Sequence, residues 1–268
     1  MQELSRQYPV WLCDVWGVVH DGQRAIAPAV DALTKHRKNG GKLVLITNAP
    51  RPKSNVIAQL DAIGVSPDAY DDIVSSGDVT QSLMVKAQQV FHMGPQSDLS
   101  LYDNANTRRV ALRDAKAVVC TGYFEDRSEA ISAYAADFEV MLQHKLPMIC
   151  ANPDKVVRIG RQLVLCAGTL AESYAAMGGE VLMAGKPFAP IYDLALQKAG
   201  NPSRAHVMVI GDGPETDVKG AEQQGLACYF VSGGINAAPD IEAKVRAAFP
   251  KVNIVHSSPE LYWPSHIR

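Results

Sequence analysis

The fold is decided by the stretch Val10–Val18, which reads VWLCDVWGV. It begins as a short continuous apolar run and contains a single acid, Asp14. Continuous apolar runs of this length are typical of strands that are buried on both faces of a parallel sheet. The stretch therefore predicts a buried strand over Val10–Val15, with the carboxyl group of Asp14 near the carboxyl end of that strand.

Similar apolar runs recur along the chain and alternate with amphipathic stretches. They predict further strands over Lys42–Ile46, Ala117–Cys120, Met148–Cys150 and Val207–Ile210. Helices are predicted over Pro28–Asn39 and Ser54–Ile63, and each is followed by glycine, a common stop signal. Alternating strands and helices of this kind indicate an α/β fold with a parallel sheet.

Short polar segments follow three of the predicted strands. They are DVWGV at 14–18, TNAPR at 47–51 and GDGPETD at 211–217. In open parallel sheets, ligands bind beyond the carboxyl ends of the strands, so we expect these three segments to meet at one site. A fourth segment, GKP at 185–187, follows the apolar VLMA and precedes a predicted helix.

The segments TNAPR and GKP are separated by well over a hundred residues that carry strand and helix signals of their own. We interpret residues 79–178 as an inserted second α/β domain. The core is then formed by residues 1–78 together with residues 179–268.

Composition and charge exclude several classes of protein. Apolar residues make up 47% and charged residues 20% of the chain, a balance typical of globular proteins rather than disordered ones. The net charge is -2 and there is no block of basic residues, so we expect no nucleic-acid interface. No apolar run approaches the roughly 18–20 residues that a membrane span needs, so no membrane partner is expected.

The five cysteines are widely spaced, and none lies in a CxxC or zinc-finger pattern. Most stand beside Val, Leu, Ile or Ala, where a free cysteine behaves as a small buried hydrophobe. The first residues, MQELSRQYPVW, lack the basic start and the apolar region of a signal peptide. We therefore expect a soluble protein of the reducing cytoplasm.

The polar segments contain the residue types that phosphate-ester chemistry requires. Asp14 offers a nucleophilic carboxylate, and Asp14 with Asp212 offers hard oxygen ligands for Mg²⁺. Thr47 and Asn48 offer a hydroxyl and an amide, and Lys186 offers a positive charge. Each residue alone has a simpler explanation as a helix cap or a turn residue. Their order, and their placement at strand ends, favours a catalytic site.

This order of motifs resembles the haloacid dehalogenase superfamily, and within it the type IIA branch of p-nitrophenyl-phosphate and nucleotide phosphatase-like proteins. The first motif of that branch, Asp-x-Asp-Gly-Val, is matched by residues 14–18, and the second by Thr47-Asn48. The third is matched by Lys186 and the fourth by residues 211–217. The large C2-type cap of the branch is inserted between motifs two and three, as the insertion is here. ANPD at 151–154 and CAGTL at 166–170 also look like parts of that cap.

The resemblance implies a role for each matched residue. Asp14 would form a phospho-aspartate, while Lys186 would neutralise the phosphoryl group and Thr47 with Asn48 would bind it. Mg²⁺ would be held by the carboxylates of Asp14 and Asp212 and by the backbone carbonyl of Trp16. Asp217 would orient the lysine or a metal-bound water; its alternative is an acid in the first turn of a helix.

In the predicted cap, Asn152 and Asp154 are candidate substrate-binding residues by resemblance. Their alternative interpretation is a β-turn that begins at Asn-Pro. Caps of this type also pack against a second copy, so a homodimer is an open possibility that the sequence does not decide.

One position departs from the family pattern, because Trp16 stands where family phosphatases carry a second aspartate. That aspartate protonates the leaving group, a contribution worth roughly 10²–10⁴-fold in rate. Three interpretations remain open: a phosphatase that is slow or uses good leaving groups, other superfamily chemistry such as phosphoryl transfer, or a binding protein without turnover. His20 and Asp21 are the nearest candidate replacements, although a turn with Gly22 explains them more simply.

Taken together, the sequence predicts a Rossmann-like three-layer α/β/α core with an inserted α/β cap. The expected function is that of a Mg²⁺-dependent phosphatase acting on a small phosphorylated metabolite, such as a sugar or nucleotide phosphate. The alternatives are a catalytically impaired phospho-ligand-binding or regulatory protein, and a member with other phosphoryl-transfer chemistry.

Overall fold

The structure is a computed structural model that describes residues 1–103, 105–124, 130–159 and 162–264. Its strands are β1 Val10–Asp14, β2 Lys42–Thr47, β3 Asp72–Ser75, β4 Gln89–Met93, β5 Arg108–Arg109, β6 Ala117–Cys120, β7 Met148–Cys150, β8 Val156–Ile159, β9 Gln162–Leu165, β10 Val181–Met183, β11 Val207–Gly211, β12 Ala227–Val231 and β13 Asn253–Ser258. Its α-helices are α1 Gln2–Gln7, α2 Ala27–Lys38, α3 Lys53–Ala62, α4 Ser76–Met84, α5 Ala135–Gln143, α6 Ala167–Ala176, α7 Ala189–Lys198, α8 Lys219–Gln224 and α9 Ile241–Ala248.

The chain forms two compact units. The first consists of residues 1–47, 54–74 and 186–268, and the second of residues 48–53 and 75–185. The predicted cap, 79–178, lies within the second unit, whose long segment begins at Ser75 and ends at Gly185. The assignment of these units as a catalytic core and a cap remains a proposal.

The first unit is built on a six-stranded sheet in the order β13-β12-β11-β1-β2-β3. The central strand β1 pairs in parallel with β11 on one side and with β2 on the other. Every residue of β1, β11 and β12 is buried, as their unbroken apolar character predicts. Because β2, β1 and β11 are parallel neighbours, their carboxyl ends meet at one edge of the sheet.

The predicted strand over Val10–Val15 ends one residue early, at Asp14. The carbonyl of Val15 instead accepts hydrogen bonds from the N–H groups of Val19 (2.8 Å) and His20 (3.2 Å). The chain therefore turns immediately after Asp14. The other four predicted strands are present to within one residue, as are the two predicted helices.

The second unit is a separate α/β layer structure. Its five-stranded sheet has the order β10-β7-β6-β4-β5, and all of its pairings are parallel. Alternate residues of β6 enter different cores: Val118 packs with Phe138 and Tyr174, whereas Val119 packs with Met84 and Val90. The sheet is therefore covered on both faces, as expected for a parallel sheet. Strands β8 and β9 form an antiparallel hairpin.

All five cysteines are buried and free, in agreement with their interpretation as small hydrophobes. Among the described helices, none combines the length and the apolar character that a membrane span requires.

Candidate active site

The carboxyl edge of the first sheet holds a buried cluster of charge around Lys186. Its Nζ donates to Oδ1 of Asp14 at 2.5 Å and to Oδ1 of Asp217 at 2.8 Å. The exposed fractions of these three side chains are 3%, 9% and 1%. Such charge-assisted hydrogen bonds are strong in a buried site, and losing one partner would leave an uncompensated charge. The structure thus brings together three of the residues that the sequence predicted.

The pKa shifts in this cluster reflect both burial and charge. Burial lowers the pKa of Lys186, but Asp14 and Asp217 outweigh that effect and hold its pKa well above the ordinary value. Burial raises the pKa of Asp14, against the lowering effect of Lys186. Because the ammonium lies between two carboxylates, Lys186 stays protonated.

Asp212 lies beside this cluster, directly after β11. Its Oδ2 accepts a hydrogen bond of 2.6 Å from the backbone N–H of Ile235. Burial and the charge of Asp217 raise the pKa of Asp212 to about 6. Asp14, Asp212 and Asp217 each place an oxygen atom within 4.8 Å of the others. Three buried carboxylates thus face a single ammonium group, so negative charge is in excess.

This donor set fits a divalent metal ion. Hard oxygen ligands are those that Mg²⁺ prefers, and a cation would offset the repulsion that raises the pKa of Asp212. In the described part of the chain, these three acids are the one group of metal-ligating side chains with suitable spacing. Asp14 and Asp212 were predicted as ligands, whereas Asp217 was predicted to orient Lys186 or a metal-bound water; Asp14 and Asp217 both accept hydrogen bonds from Lys186.

The turn after β1 depends on glycine at Gly17. Its φ is +88°, a conformation that side chains disfavour, and a Cβ there would lie 2.6 Å from Oδ2 of Asp212. Glycine therefore lets the backbone of the first motif approach the carboxylate of the fourth. The prediction that the carbonyl of Trp16 is a metal ligand remains a prediction.

The indole of Trp16 lies over the following turn. It contacts the ring of His20 edge-on, with a centroid distance of 5.2 Å. Nδ1 of His20 accepts the N–H of Gly22 at 2.9 Å, and Oδ1 of Asp21 accepts the N–H groups of Gln23 and Arg24, each at 2.9 Å. These bonds shape the turn, which supports the simpler interpretation of His20 and Asp21.

Asp217 makes hydrogen bonds through both of its carboxylate oxygens. Its Oδ1 binds Lys186, while its Oδ2 accepts the backbone N–H of Gly213 at 3.1 Å and the hydroxyl of Thr216 at 3.2 Å. It lies in a π-helical turn, Pro214–Val218, that leads into α8. The carboxylate therefore binds the turn and the lysine at the same time, and its role in orienting Lys186 stays a prediction.

Two features of the site were not predicted from the sequence. Tyr192 on α7 is buried beneath the fourth motif, and its hydroxyl donates to the carbonyl of Thr216 at 3.4 Å. The backbone of Ile235 binds Asp212 from the loop after β12. The glycine pair at 233–234, which follows a continuous apolar run, is a sequence signal for that loop, whereas a buried helix tyrosine offers none.

The remaining predicted residues divide between the units. Thr47 is buried at the end of β2 in the first unit. Asn48, Asn152 and Asp154 belong to the second unit, where Nδ2 of Asn48 donates to Oδ1 of Asp154 at 2.9 Å. Oδ1 of Asn152 accepts the N–H of Asp154 at 3.1 Å, so a side-chain hydrogen bond shapes this segment, and the substrate-binding role of both residues stays a prediction.

Comparisons with known proteins agree with this fold. Residues 11–108 match the family model described as haloacid dehalogenase-like hydrolase, and residues 183–258 match a second model, described as HAD-hydrolase-like. A crystal structure of a haloacid dehalogenase-like hydrolase from Brucella suis 1330 is 38% identical, with a TM-score of 0.85. The match covers 97% of this chain and 98% of that one. The chain therefore belongs to the haloacid dehalogenase-like hydrolases.

More distant relatives include proteins of named activity. The D-glycerol 3-phosphate phosphatase of Mycobacterium tuberculosis (strain ATCC 25618 / H37Rv) is 25% identical over 253 residues, which cover 90% of this chain and 67% of that protein. The structure of a glycerol phosphate phosphatase from Mycobacterium tuberculosis in complex with magnesium is 23% identical, with a TM-score of 0.75. That match covers 96% of this chain and 77% of the other, and it shows that the fold is shared.

Proposed function

We propose that the protein is a Mg²⁺-dependent phosphatase for a small phosphorylated metabolite, with Asp14 as its nucleophile. The observation that carries the proposal is the contact of Lys186 with Asp14 and Asp217, beside the carboxylate of Asp212. A nucleophilic carboxylate, a fixed ammonium and a set of metal-binding oxygens are what cleavage of a phosphate ester requires. The named activities of the Mycobacterium tuberculosis relatives support the same chemistry.

In the first step, a carboxylate oxygen of Asp14 forms a bond to phosphorus as the bond to the leaving oxygen breaks. The departing alkoxide takes up a proton from solvent. Water then attacks phosphorus as the bond between phosphorus and the oxygen of Asp14 breaks, which releases inorganic phosphate and a proton and regenerates the carboxylate of Asp14. Lys186 offsets the negative charge of the phosphoryl oxygens, and Asp217 holds the ammonium in place for both steps. Thr47 and Asn48 bind the phosphoryl group in this proposal.

A metal would be held by the carboxylates of Asp14 and Asp212 and by the backbone carbonyl of Trp16. When bound, it supplies Lewis-acid neutralisation of the phosphoryl group. The magnesium complex of the Mycobacterium tuberculosis structure supports Mg²⁺ as the ion.

Trp16 favours a second candidate, a protein that binds a phosphorylated ligand with little turnover. An indole carries no proton that can be given to a leaving alkoxide near neutral pH. Retention of the Lys186 contacts favours catalysis over this alternative, because binding alone does not need a nucleophile held beside an ammonium group. Phosphoryl transfer to an acceptor other than water would use the same residues.

The test is a turnover screen with p-nitrophenyl phosphate and a panel of sugar and nucleotide phosphates, with and without Mg²⁺. The wild type is compared with Asp14→Asn, which keeps the size of the side chain and removes the nucleophile. We expect Mg²⁺-dependent release of phosphate that Asp14→Asn loses. Equal background rates in both proteins across the panel would contradict the phosphatase proposal and favour the ligand-binding alternative.

Three further expectations belong to this proposal. The second unit would act as a cap that selects the substrate, the protein would work in the cytoplasm, and two copies would form a homodimer. Size-exclusion chromatography with light scattering tests the last of these, and a monomer at micromolar concentration would contradict it.

A further inference from the structure

A turn of the second unit fixes the carboxamide of Asn48. Its Nδ2 donates to Oδ1 of Asp154, 106 residues later in the chain, at 2.9 Å. Asn48 is buried, and its nitrogen faces a carboxylate that can only accept hydrogen bonds when ionised. If the amide turned over, its oxygen would face another oxygen. The contact therefore determines which way the carboxamide of Asn48 points.

The oxygen of the same carboxamide lies close to Gly185. A Cβ at that position would collide with Oδ1 of Asn48 and would lie 2.7 Å from Cδ of Pro153. Only glycine allows the backbone before Lys186 to pack this closely. The carboxamide thus donates to Asp154 through its nitrogen, and its oxygen lies where Gly185 leaves no room for a side chain.

Asp154 is itself held by the backbone rather than placed on a free loop. Its N–H donates to Oδ1 of Asn152 at 3.1 Å, and its carbonyl accepts the N–H of Gly168, in the first turn of α6, at 3.1 Å. A Cβ on Gly168 would lie 2.6 Å from that carbonyl oxygen. The backbone of Asp154 is therefore bonded to the first turn of α6.

We propose that Asp154 is a positioning residue that acts through Asn48 and does not bind the substrate itself. This inference rests on the proposed function, in which Asn48 binds the phosphoryl group. An ionised carboxylate repels a phosphate dianion, so direct contact between the two would weaken binding. A carboxamide oriented by that carboxylate presents its dipole in one fixed direction, which favours preorganised binding of the phosphoryl oxygens. Asp154 then affects every phosphorylated ligand equally, whatever the rest of the molecule is.

The test compares Asp154→Ala with Asp154→Asn. The alanine variant removes the acceptor, whereas asparagine can present an oxygen to Asn48 in the same place. We expect Asp154→Ala to raise the KM for p-nitrophenyl phosphate and the inhibition constant of inorganic phosphate by the same factor, about 10-fold. Asp154→Asn is expected to stay within about threefold of the wild type, since it keeps a hydrogen-bond acceptor. Glu172→Ala, which removes an exposed acid that pairs with Lys155, is the matched control and is expected to change neither constant.

A double-mutant cycle separates this role from a general effect on the fold. If Asp154 acts through Asn48, adding Asp154→Ala to Asn48→Ala changes neither constant further. Independent losses in the double variant would overturn the inference. So would an Asp154→Ala variant whose KM changes for some esters while inhibition by inorganic phosphate stays the same, because Asp154 would then contact the leaving group.

Binding of inorganic phosphate in the presence of Mg²⁺, measured by calorimetry, keeps the inference separate from the proposed function. A wild type without turnover contradicts the proposed function, but phosphate affinities of the wild type, Asn48→Ala and Asp154→Ala can still be compared. We expect both variants to bind phosphate more weakly than the wild type, with Asn48→Ala weakened at least as much as Asp154→Ala. Equal affinity of Asp154→Ala and the wild type, or no phosphate binding by the wild type, overturns the inference.

Discussion

The indole of Trp16 packs directly against the backbone of Gly22, so that a Cβ on Gly22 would lie 2.8 Å from Cη2 of the ring. Gly22 also has a φ of +93°, which disfavours any side chain. Trp16, which replaces the expected aspartate, therefore needs a glycine at position 22, because a side chain there would collide with the indole. The turn after the first motif is built around the tryptophan.

Gly22→Ala is expected to destabilise the fold by more than backbone strain alone. The positive φ costs about 1 kcal/mol for alanine, and displacement of the indole adds a further ~1–2 kcal/mol. Gly40→Ala is the matched control, because Gly40 has a φ of +87° but nothing within 4 Å of its added Cβ. Urea unfolding of both variants measures the difference. An equal decrease in the free energy of unfolding in the two variants would show that the contact with Trp16 does not contribute to stability.

Trp16→Asp is expected to raise kcat/KM for sugar phosphates at least 10-fold, because a carboxyl group at this position supplies the missing proton donor. Turnover of p-nitrophenyl phosphate should change little, since its leaving group departs without protonation. Trp16→Phe keeps an aromatic ring over the turn and adds no acid, so it should resemble the wild type. An equal rise for both substrates, or a rise in Trp16→Phe, contradicts the role assigned to this position.

Asp212→Asn is expected to stabilise the metal-free protein above pH 6. Burial and Asp217 raise the pKa of Asp212 to about 6 in the folded protein, above the ordinary value of about 3.9 in the unfolded chain. Ionisation of the wild-type carboxyl therefore destabilises the fold as pH rises from about 4 to about 6. Removing the charge should increase the free energy of unfolding by about 1–3 kcal/mol in EDTA. Asparagine keeps an oxygen that can accept the N–H of Ile235.

Added Mg²⁺ should make the wild type more stable than Asp212→Asn. At a concentration of 100 times its Kd, Mg²⁺ should stabilise the wild type by ~2.7 kcal/mol and leave Asp212→Asn nearly unchanged. Thermal unfolding with EDTA and with added Mg²⁺ measures both effects. A variant that gains as much from Mg²⁺ as the wild type would show that Asp212 is not a ligand.

His36 should make the stability of the first unit depend on pH below 7. The ring is fully buried, stacks on Trp11 with a centroid distance of 3.7 Å and binds Oγ of Ser5 through Nδ1 at 2.7 Å. Burial lowers its pKa to about 4, so between pH 4 and about 6.5 the unfolded chain binds a proton that the folded protein excludes. Stability should therefore fall by about 2–3 kcal/mol as pH drops through this window.

Urea unfolding between pH 4 and pH 7 measures this loss, with His36→Phe as the comparison. Phenylalanine keeps a flat ring against Trp11 and removes the titrating group. The variant should show a shallower slope of stability with pH in this window. Equal slopes in the two proteins would contradict the assignment to His36.

Much of the fold follows from local pattern, because strands buried on both faces need unbroken apolar runs. The runs at Val10–Val15 and Val207–Ile210 therefore predict two strands of one sheet, and the polar residues that follow them meet at one edge. The pairing of Asp14 with Asp212 follows from this pattern alone. The end of β1 at Asp14 does not, since it depends on hydrogen bonds to the carbonyl of Val15.

The partners inside the site depend on tertiary placement that no short pattern encodes. The sequence does not show which partners Asp217 has, and in the structure one oxygen binds Lys186 while the other binds the N–H of Gly213. The bond between Asn48 and Asp154 joins residues from distant segments, so spacing along the chain gives no sign of it. The family motifs located these residues, but the contacts between them come from the fold.

The central claim is that Asp14 carries the phosphoryl group during turnover. The most direct measurement is mass spectrometry of the peptide that contains Asp14, after rapid acid quenching of enzyme mixed with Mg²⁺ and p-nitrophenyl phosphate. We expect this peptide to gain one phosphoryl group in the wild type and none in Asp14→Asn. Steady release of p-nitrophenol by Asp14→Asn, with no phosphorylated peptide in the wild type, would contradict the claim.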